Sequence, residues 1–230
     1  ATITGVALAS DNSTIAVTLD EPVYNAAGGS GALEASDFVF AINGGVATLS
    51  STTPTSISAS GNVYTLGIGL SGTPTGGETL TVNPASNSIY DAYSNISTIS
   101  QSNNTVTVND KTPPAITMAV ADSDGNSLSS GSTTNDASLS LTFTTSEATT
   151  NFASNDVTLA GGTISSFSAT SSTVYTATFT PSADGATTVD VGASVFTDAG
   201  GNGNTAAAQY TWTYDGTPSV ISSVSLASDN

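Results

Sequence analysis

The sequence has no cysteine and no histidine, and Lys111 is its one basic side chain against 18 acids, a net charge of -17 over 230 residues. Without thiol or imidazole there is no Ser-His-Asp or Cys-His nucleophilic centre. Zinc sites built on those groups, and the usual ligation of haem or iron–sulfur clusters, are excluded too. One lysine cannot form an anion-binding patch. Nucleic acid, with about one negative charge per 1.7 Å of duplex, is repelled, and so is an anionic membrane surface. No apolar run approaches the roughly 18 residues that span a bilayer, so no membrane insertion is expected. No basic-then-apolar leader opens the chain, so Ala1 is expected to begin a mature protein or an excised piece. The missing cysteines fit a surface protein that does not rely on disulfides.

Charged residues make up 8% of the chain, against about 25% in an average domain. The composition is nevertheless globular: 37% is hydrophobic, and 22 glycines bring the apolar share close to half, inside the usual range. The groups left to bind or react are carboxylates, amide oxygens, hydroxyls and backbone carbonyls. These hard oxygen donors suit calcium. Hydrolysis by a pair of carboxylates is the one common enzyme chemistry that survives.

Two repeats organise the chain. Val6-Ala7-Leu8-Ala9-Ser10-Asp11-Asn12 recurs as Val224-Ser225-Leu226-Ala227-Ser228-Asp229-Asn230, and Ile3 recurs as Ile221. The chain therefore reads as about one period of a longer array, with residues 219–230 opening a following copy. A weaker repeat lies inside that period. Asn109-Asp110-Lys111-Thr112-Pro113 resembles Tyr214-Asp215-Gly216-Thr217-Pro218, and Gly61-Asn62-Val63-Tyr64-Thr65 resembles Ser172-Thr173-Val174-Tyr175-Thr176. Two modules follow, 1–112 and 113–218, joined near Pro113-Pro114, a pair that favours an extended, semi-rigid connection.

The local pattern is β. Thr14–Leu19, Ser138–Phe143 and Val174–Phe179 alternate polar and apolar residues, and Thr79–Val82, Thr105–Val108 and Gln209–Tyr214 continue the pattern. Period two means strands with one buried face, and clusters of Gly, Asn, Asp, Ser and Pro punctuate them. The fold class expected is all-β, two tandem Ig-like antiparallel β-sandwiches. Tyr64, Phe143, Tyr175 and Phe179 read as core, and Trp212 lies in the last strand of the second module. The outer faces carry Ser and Thr rather than charge, so exposed edges invite lateral pairing, which the negative charge partly opposes.

The acids supply the candidate metal ligands. Asp122-Ser123-Asp124-Gly125-Asn126 places oxygens at i, i+2 and i+4 around a glycine, like the opening of a calcium loop, with Asp122, Asp124 and Asn126 as ligands. Position 133 is Thr, so an EF-hand is rejected. A tight Asx-rich hairpin turn accounts for the same residues. A second set recurs between the modules: Glu21, Asp91 and Asp110 in the first, Glu147, Asp198 and Asp215 in the second. Loops of a sandwich gather at its two ends, so an acid in a linker can meet acids from the loops of one end. Such a cluster repels itself unless a cation sits within it. Calcium at the module junctions is the cofactor expected, against the alternative that these acids cap turns and stay solvated. Three glycosylation sequons, starting at Asn12, Asn95 and Asn103, match a short motif that chance also produces. A glycosidase needs its carboxylates in a cleft with aromatic platforms; no cleft-forming insertion is visible, and no enzyme is expected.

Ser146-Glu147-Ala148, Ser154-Asn155-Asp156-Val157, Gly161-Gly162-Thr163-Ile164, Tyr175–Pro181 and Thr197-Asp198-Ala199-Gly200-Gly201-Asn202 together resemble the bacterial Ig-like repeat of large adhesins and biofilm-associated surface proteins. The first module, with Asp20-Glu21-Pro22-Val23-Tyr24, Leu33–Phe38, Gly61–Leu66 and Ser88-Ile89-Tyr90-Asp91, is similar to repeats of giant prokaryotic cell-surface proteins, one of them tied to swimming motility in cyanobacteria. The resemblance implies an extracellular tandem array of sandwiches, often stiffened by calcium. The first module departs from it at Tyr93-Ser94-Asn95, where the second has Gly200-Gly201-Asn202, which weakens the expectation of one shared turn at Asp91.

The function expected is that of a structural repeat unit of a cell-surface or filamentous protein, a calcium-stiffened rod for adhesion, matrix or surface-layer assembly. Its partners are copies of itself end to end, as covalent repeats or filament subunits, with lateral neighbours possible in a lattice. The alternative is a carbohydrate- or receptor-binding module of an adhesin.

Overall fold

The structure, a computed structural model, describes residues 1–225. The chain divides into two compact units, Ala1–Thr112 and a second that starts at Pro113. Each is described by itself.

Unit 1 contains strands β1 (Ile3–Leu8), β2 (Thr14–Leu19), β3 (Phe38–Asn43), β4 (Thr48–Leu49), β5 (Ile57–Ser60), β6 (Val63–Gly67), β7 (Leu70–Ser71), β8 (Thr79–Pro84) and β9 (Thr105–Thr107). One antiparallel sheet has the order β1-β2-β6-β5 and another β3-β8-β9, with β4 and β7 as a small ribbon. Unit 2 contains β10 (Ile116–Ala121), β11 (Ser127–Leu128), β12 (Ser132–Thr134), β13 (Leu139–Thr145), β14 (Val157–Ala160), β15 (Gly162–Ala169), β16 (Val174–Pro181), β17 (Gly185–Val191) and β18 (Tyr210–Tyr214). Its sheets run β11-β10-β13-β16-β15 and β12-β18-β17-β14. Set aside β4, β7, β11 and β12, and the two units have one plan. The first, second, fifth and fourth of seven strands form one sheet, and the third, sixth and seventh form the other, which is the ABED/CFG order of a constant-type Ig sandwich.

The alternation in the sequence drives this plan. In β2, Ile15, Val17 and Leu19 turn inward and Thr14, Ala16 and Thr18 outward. In β13, Leu139, Leu141 and Phe143 turn inward. Ile15 stands opposite Leu66 and Val17 opposite Tyr64; Leu141 stands opposite Ala177 and Phe143 opposite Tyr175. Phe38, Phe40, Leu80 and Val82 close the first core from the other sheet. Val157, Val189, Val191 and Trp212 do so in the second. Trp212 meets Phe179 edge-on at 4.7 Å between ring centres, a favoured aromatic geometry. Tyr64, Phe143, Tyr175 and Phe179 are all buried, as the sequence predicts.

Two features escape the period-two reading. β12 pairs with β18 in parallel, although it follows the β10–β11 hairpin, so the opening segment of unit 2 serves both sheets. β1 carries a bulge at Thr4: Ile3 pairs with Leu19, but Gly5 already pairs with Thr18. The β1–β2 turn is locked by Asn12, a buried residue at φ 63°. Its side chain accepts the Asn109 backbone N–H (3.0 Å) and donates to the Asn109 carbonyl (2.8 Å).

Glu78, at the start of β8, is fully buried. Its carboxylate accepts the backbone N–H groups of Val46 (2.7 Å), Ala47 (2.9 Å) and Thr75 (3.0 Å). Gly44 and Gly45 have left-handed φ values of 78° and 58°. A Cβ on Gly45 would stand 2.1 Å from the Glu78 carboxyl carbon, so only glycine lets the loop wrap the acid. Burial alone would raise the Glu78 carboxyl, but the converging N–H groups more than reverse this and hold it at about 2, from an ordinary 4.5. A carboxyl depressed by folding stabilises the fold above its unfolded value, and that stabilisation fades as pH falls from about 4.5 through about 2. Glu78→Gln is therefore expected to cost unit 1 on the order of 2–3 kcal/mol at neutral pH. It should also flatten the loss of stability between pH 4.5 and 2. Urea unfolding followed by far-UV circular dichroism across that range checks both; an unchanged acid limb would show that Glu78 does not control it.

Candidate functional site: acidic loops

In each unit the loop after the second strand and the loop before the last strand meet. In unit 1 they are stitched by reciprocal backbone bonds of Tyr24 and Tyr90, both 2.8 Å. In unit 2 the Thr149 hydroxyl donates to the Thr197 carbonyl (2.8 Å), and the Thr197 N–H donates to the Asn151 side-chain oxygen (3.0 Å). Four of the eight candidate acids, Glu21, Asp91, Glu147 and Asp198, lie on these loops.

Asp91, Asp122 and Asp198 each head the same five-residue turn. In all three the Asp N–H donates to the carbonyl of the Asn four residues on: 3.0 Å to Asn95, 2.9 Å to Asn126 and 3.2 Å to Asn202. That Asn returns its own backbone N–H to the Asp Oδ1, at 2.8, 2.7 and 2.8 Å. Its side-chain amide closes on Oδ2, at 2.7, 3.0 and 2.9 Å. The fourth residue is left-handed throughout: Ser94 at φ 73°, Gly125 at 85° and Gly201 at 81°. The departure at Tyr93-Ser94-Asn95 therefore does not change the turn. Ser94 accepts the left-handed conformation that glycine takes elsewhere, because the flanking Asp and Asn over-determine it. The Asn95 amide bond to Asp91, and the Asn126 amide bond to Asp122, hold both carboxyls below the ordinary range.

At the other candidates, Asp122–Asn126 joins β10 to β11, so the tight-turn geometry occupies this segment, with Asp124 exposed and its N–H bonded to Asp122 Oδ1 (3.0 Å). Glu21 lies 3.0 Å from the Ala1 amino nitrogen. Asp110 follows β9 and accepts the Thr112 N–H at 2.8 Å. Asp215 follows β18, its N–H bonded to the Thr134 carbonyl (2.9 Å). Beside it Asp184, which the sequence reading passed over, accepts the Gly216 N–H (2.7 Å) and the Thr217 hydroxyl. Within unit 2 the fold brings two of the predicted ligands together: a carboxylate oxygen of half-buried Glu147 and one of buried Asp198 lie within 4.8 Å of each other. Two carboxylates so placed repel unless a cation or proton lies between them, and both are hard donors that fit calcium. Of the sequons, Asn12 and Ser97 are buried, whereas Asn103 and Thr105 are exposed. Residues 219–225, assigned to a following strand, form none here, and residues 226–230 of that assignment lie outside the described residues.

The fold and this loop arrangement define an Ig-like β-sandwich class. Residues 110–214 match the family model described as bacterial Ig-like domain, and that match begins at Asp110. The structure of Yersinia pseudotuberculosis InvD is similar to 96% of this chain, with a TM-score of 0.37 and 15% identity. This chain spans 60% of that structure's length. No curated protein matches the sequence.

A shared turn makes a direct expectation. Ser94→Gly removes the cost of holding a side chain left-handed but also the hydroxyl that accepts the Gly28 N–H (2.8 Å), so the two offset and unit 1 should stay within about 1 kcal/mol of the parent. Gly201→Ser should destabilise unit 2 by about 1 kcal/mol. Trp212, the one tryptophan, reports unit 2 by fluorescence during urea unfolding. Equal midpoints for Gly201→Ser and the parent would show that the turn does not impose this conformation in solution.

Proposed function

We propose that the chain is a structural and adhesive module of an extracellular bacterial surface protein, one period of an end-to-end array of sandwiches stiffened by calcium. The observation that carries this reading is the doubling of one seven-strand plan in a single chain, whose opening sequence recurs at 224–230. The match of residues 110–214 to the bacterial Ig-like domain supports it. A protein that builds the same sandwich repeatedly, with loops that close on themselves, gains length with each copy. The aromatic platforms that sugar hydrolysis requires are spent elsewhere in unit 2: Phe143, Phe152, Phe179, Phe196 and Trp212 are buried.

The calcium ligands in this reading are Glu147 and Asp198, beside the segment that opens unit 2 at Pro113. That segment is anchored beside them. The Pro114 carbonyl accepts the Thr205 N–H (2.9 Å), and the Ala115 N–H donates to the Ser146 hydroxyl (2.9 Å), next to Glu147. When bound, the ion would neutralise the carboxylates and fix the segment against the loops. Glu21, Asp91 and Asp215 are the corresponding set for a junction between copies. A receptor-binding reading draws on the loop between β8 and β9, where Tyr93, Ile96 and Ile99 stand exposed at 86%, 49% and 59%.

Thermal unfolding in millimolar calcium and in excess chelator tests the metal reading. A ligand at about 100 times its Kd adds roughly 2.7 kcal/mol to the folded state, which raises the midpoint by several degrees. Asp198→Asn and Glu147→Gln should each erase that rise. Superimposable curves for the parent chain would mean that these acids act without calcium.

A further inference from the structure

We infer that residues 219–230, whose sequence repeats that of β1, can enter the β1 place in unit 1 of a second copy of this chain, pairing with that copy's β2. The proposal deepens the array reading by naming which place the segment fits and by extending the joint to separate chains. In the structure Val220, Ile221 and Val224 are each 85% exposed, with no core of their own. β1 is an edge strand that pairs with β2 alone, so its removal opens one side of one sheet and leaves the remaining ladders in place.

The fit is specific because β1 is irregular. The bulge at Thr4 makes its inward residues Ile3, Val6 and Leu8, a spacing of three and then two. Residues 219–230 repeat that spacing as Ile221, Val224 and Leu226. Within the strand, Ser222, Ser223 and Ser225 fall where unit 1 tolerates them. Ser222 replaces exposed Thr4, whose hydroxyl donates to the Thr18 carbonyl (3.1 Å), and supplies the same donor. Ser223 replaces Gly5, where nothing lies within 4 Å of an added Cβ. Ser225 replaces exposed Ala7. Two contacts are lost: the Thr2 hydroxyl that donates to Asp20 (2.7 Å) has Val220 as its counterpart, and Ala1, which packs on the core and whose amino group lies 3.0 Å from Glu21, has Ser219. The β10 place in unit 2 does not fit. β10 pairs with β13 without a bulge, and its alignment with the segment, Ile116 on Ile221, sets Ser225 on buried Val120 and turns Val224 outward on Ala119.

The resident strand holds its place by the Thr2–Asp20 bond and by its tether, a short turn that gives it a millimolar effective concentration. The second copy's segment therefore competes when chains refold together near that concentration. The absence of cysteine makes disulfide trapping clean. Ala7 stands directly opposite Ala16, and opposite residues in such a ladder have Cα atoms about 4.5–5.5 Å apart, within disulfide reach. Ser225 is the counterpart of Ala7. A full chain carrying A16C is mixed with a full chain carrying S225C, unfolded, and refolded under mild oxidation at about 10 μM and about 1 mM, the latter matching the tether. The expected result is a mixed disulfide dimer at the higher concentration, about tenfold above a V224C partner whose side chain faces away. Equal yields from S225C and V224C, or no mixed dimer at 1 mM, overturn the proposal. A single chain in which residues 13–230 are repeated directly after Asn230 separates the two readings. Cross-linking of S225C to the second A16C there, without any between separate chains, keeps the array and removes the exchange. Its absence there as well removes both.

Discussion

The fold depends on the burial of one face of each sheet. Without disulfides, and with one lysine to answer 18 acids, neither covalent staples nor ion pairs can organise 230 residues. What remains is apolar area removed from water and backbone ladders that satisfy the groups buried with it. The consequence is visible strand by strand: β2, β13 and β16 alternate buried positions with more exposed ones that are mostly Thr, Ser or Ala, and β6 does so as far as Leu66. Both units answer the constraint with the same strand order, although their cores differ, with Phe38 and Phe40 where unit 2 has Val157 and Leu159. Volume moves between sheets while the plan stays.

With no counter-charges available, the acids satisfy themselves locally. Asp37 and Asp156 accept the N–H groups of Glu34 (2.7 Å) and Ala153 (2.8 Å) ahead of a single 3-10 turn. Asp91, Asp122 and Asp198 accept from an Asn four residues later. Glu78 collects three backbone N–H groups at once. A carboxylate bonded in this way is oriented but not used up, because its two oxygens offer about four lone-pair positions. Asp198 is thus both the head of a turn and a fixed donor beside Glu147, whereas the acid nearest the same turn at Asp122 is Asp136, which is itself occupied by the Ser123 hydroxyl (2.9 Å) and the Thr134 hydroxyl (2.6 Å). The turn is common; the neighbour gives it chemical meaning.

Much of this was legible in the sequence, for identifiable reasons. The alternating runs carry the strands, and aromatic residues at their inward positions carry the core. The recurrence of Tyr64-Thr65 and Tyr175-Thr176 carries the doubling of the plan. Glu78 was not legible. It belongs to no motif, and its partners Val46, Ala47 and Thr75 act through backbone groups that have no sequence signature. The parallel pairing of β12 was hidden because Ser132-Thr133-Thr134 has no apolar face to alternate. The shared turn at Asp91 was obscured because glycine is the usual marker of a left-handed residue, and Ser94 takes that conformation without it. Proximity of Glu147 and Asp198 follows from their loops, but sequence alone could not separate that pair from Glu21 and Asp91, which occupy matching loops.

Regular alternation is a poor address. Any strand of period two can lie on any half-buried sheet, which is why chains rich in Ser, Thr and Val risk pairing in the wrong register. An irregularity supplies what the alternation lacks. The bulge at Thr4 shifts the inward set of β1 by one residue relative to a straight strand, so a segment spaced for β1 puts serine into the core of unit 2, and β10 in the β1 place would set Ala119 and Ala121 at the positions of Val6 and Leu8. Two sandwiches of one plan can then stand in one chain without exchanging their first strands. The spacing that distinguishes β1 from β10 is the spacing that residues 221–226 carry. In an array built from these two units, that mismatch would oppose exchange of first strands between first and second sandwiches without any charge to enforce it.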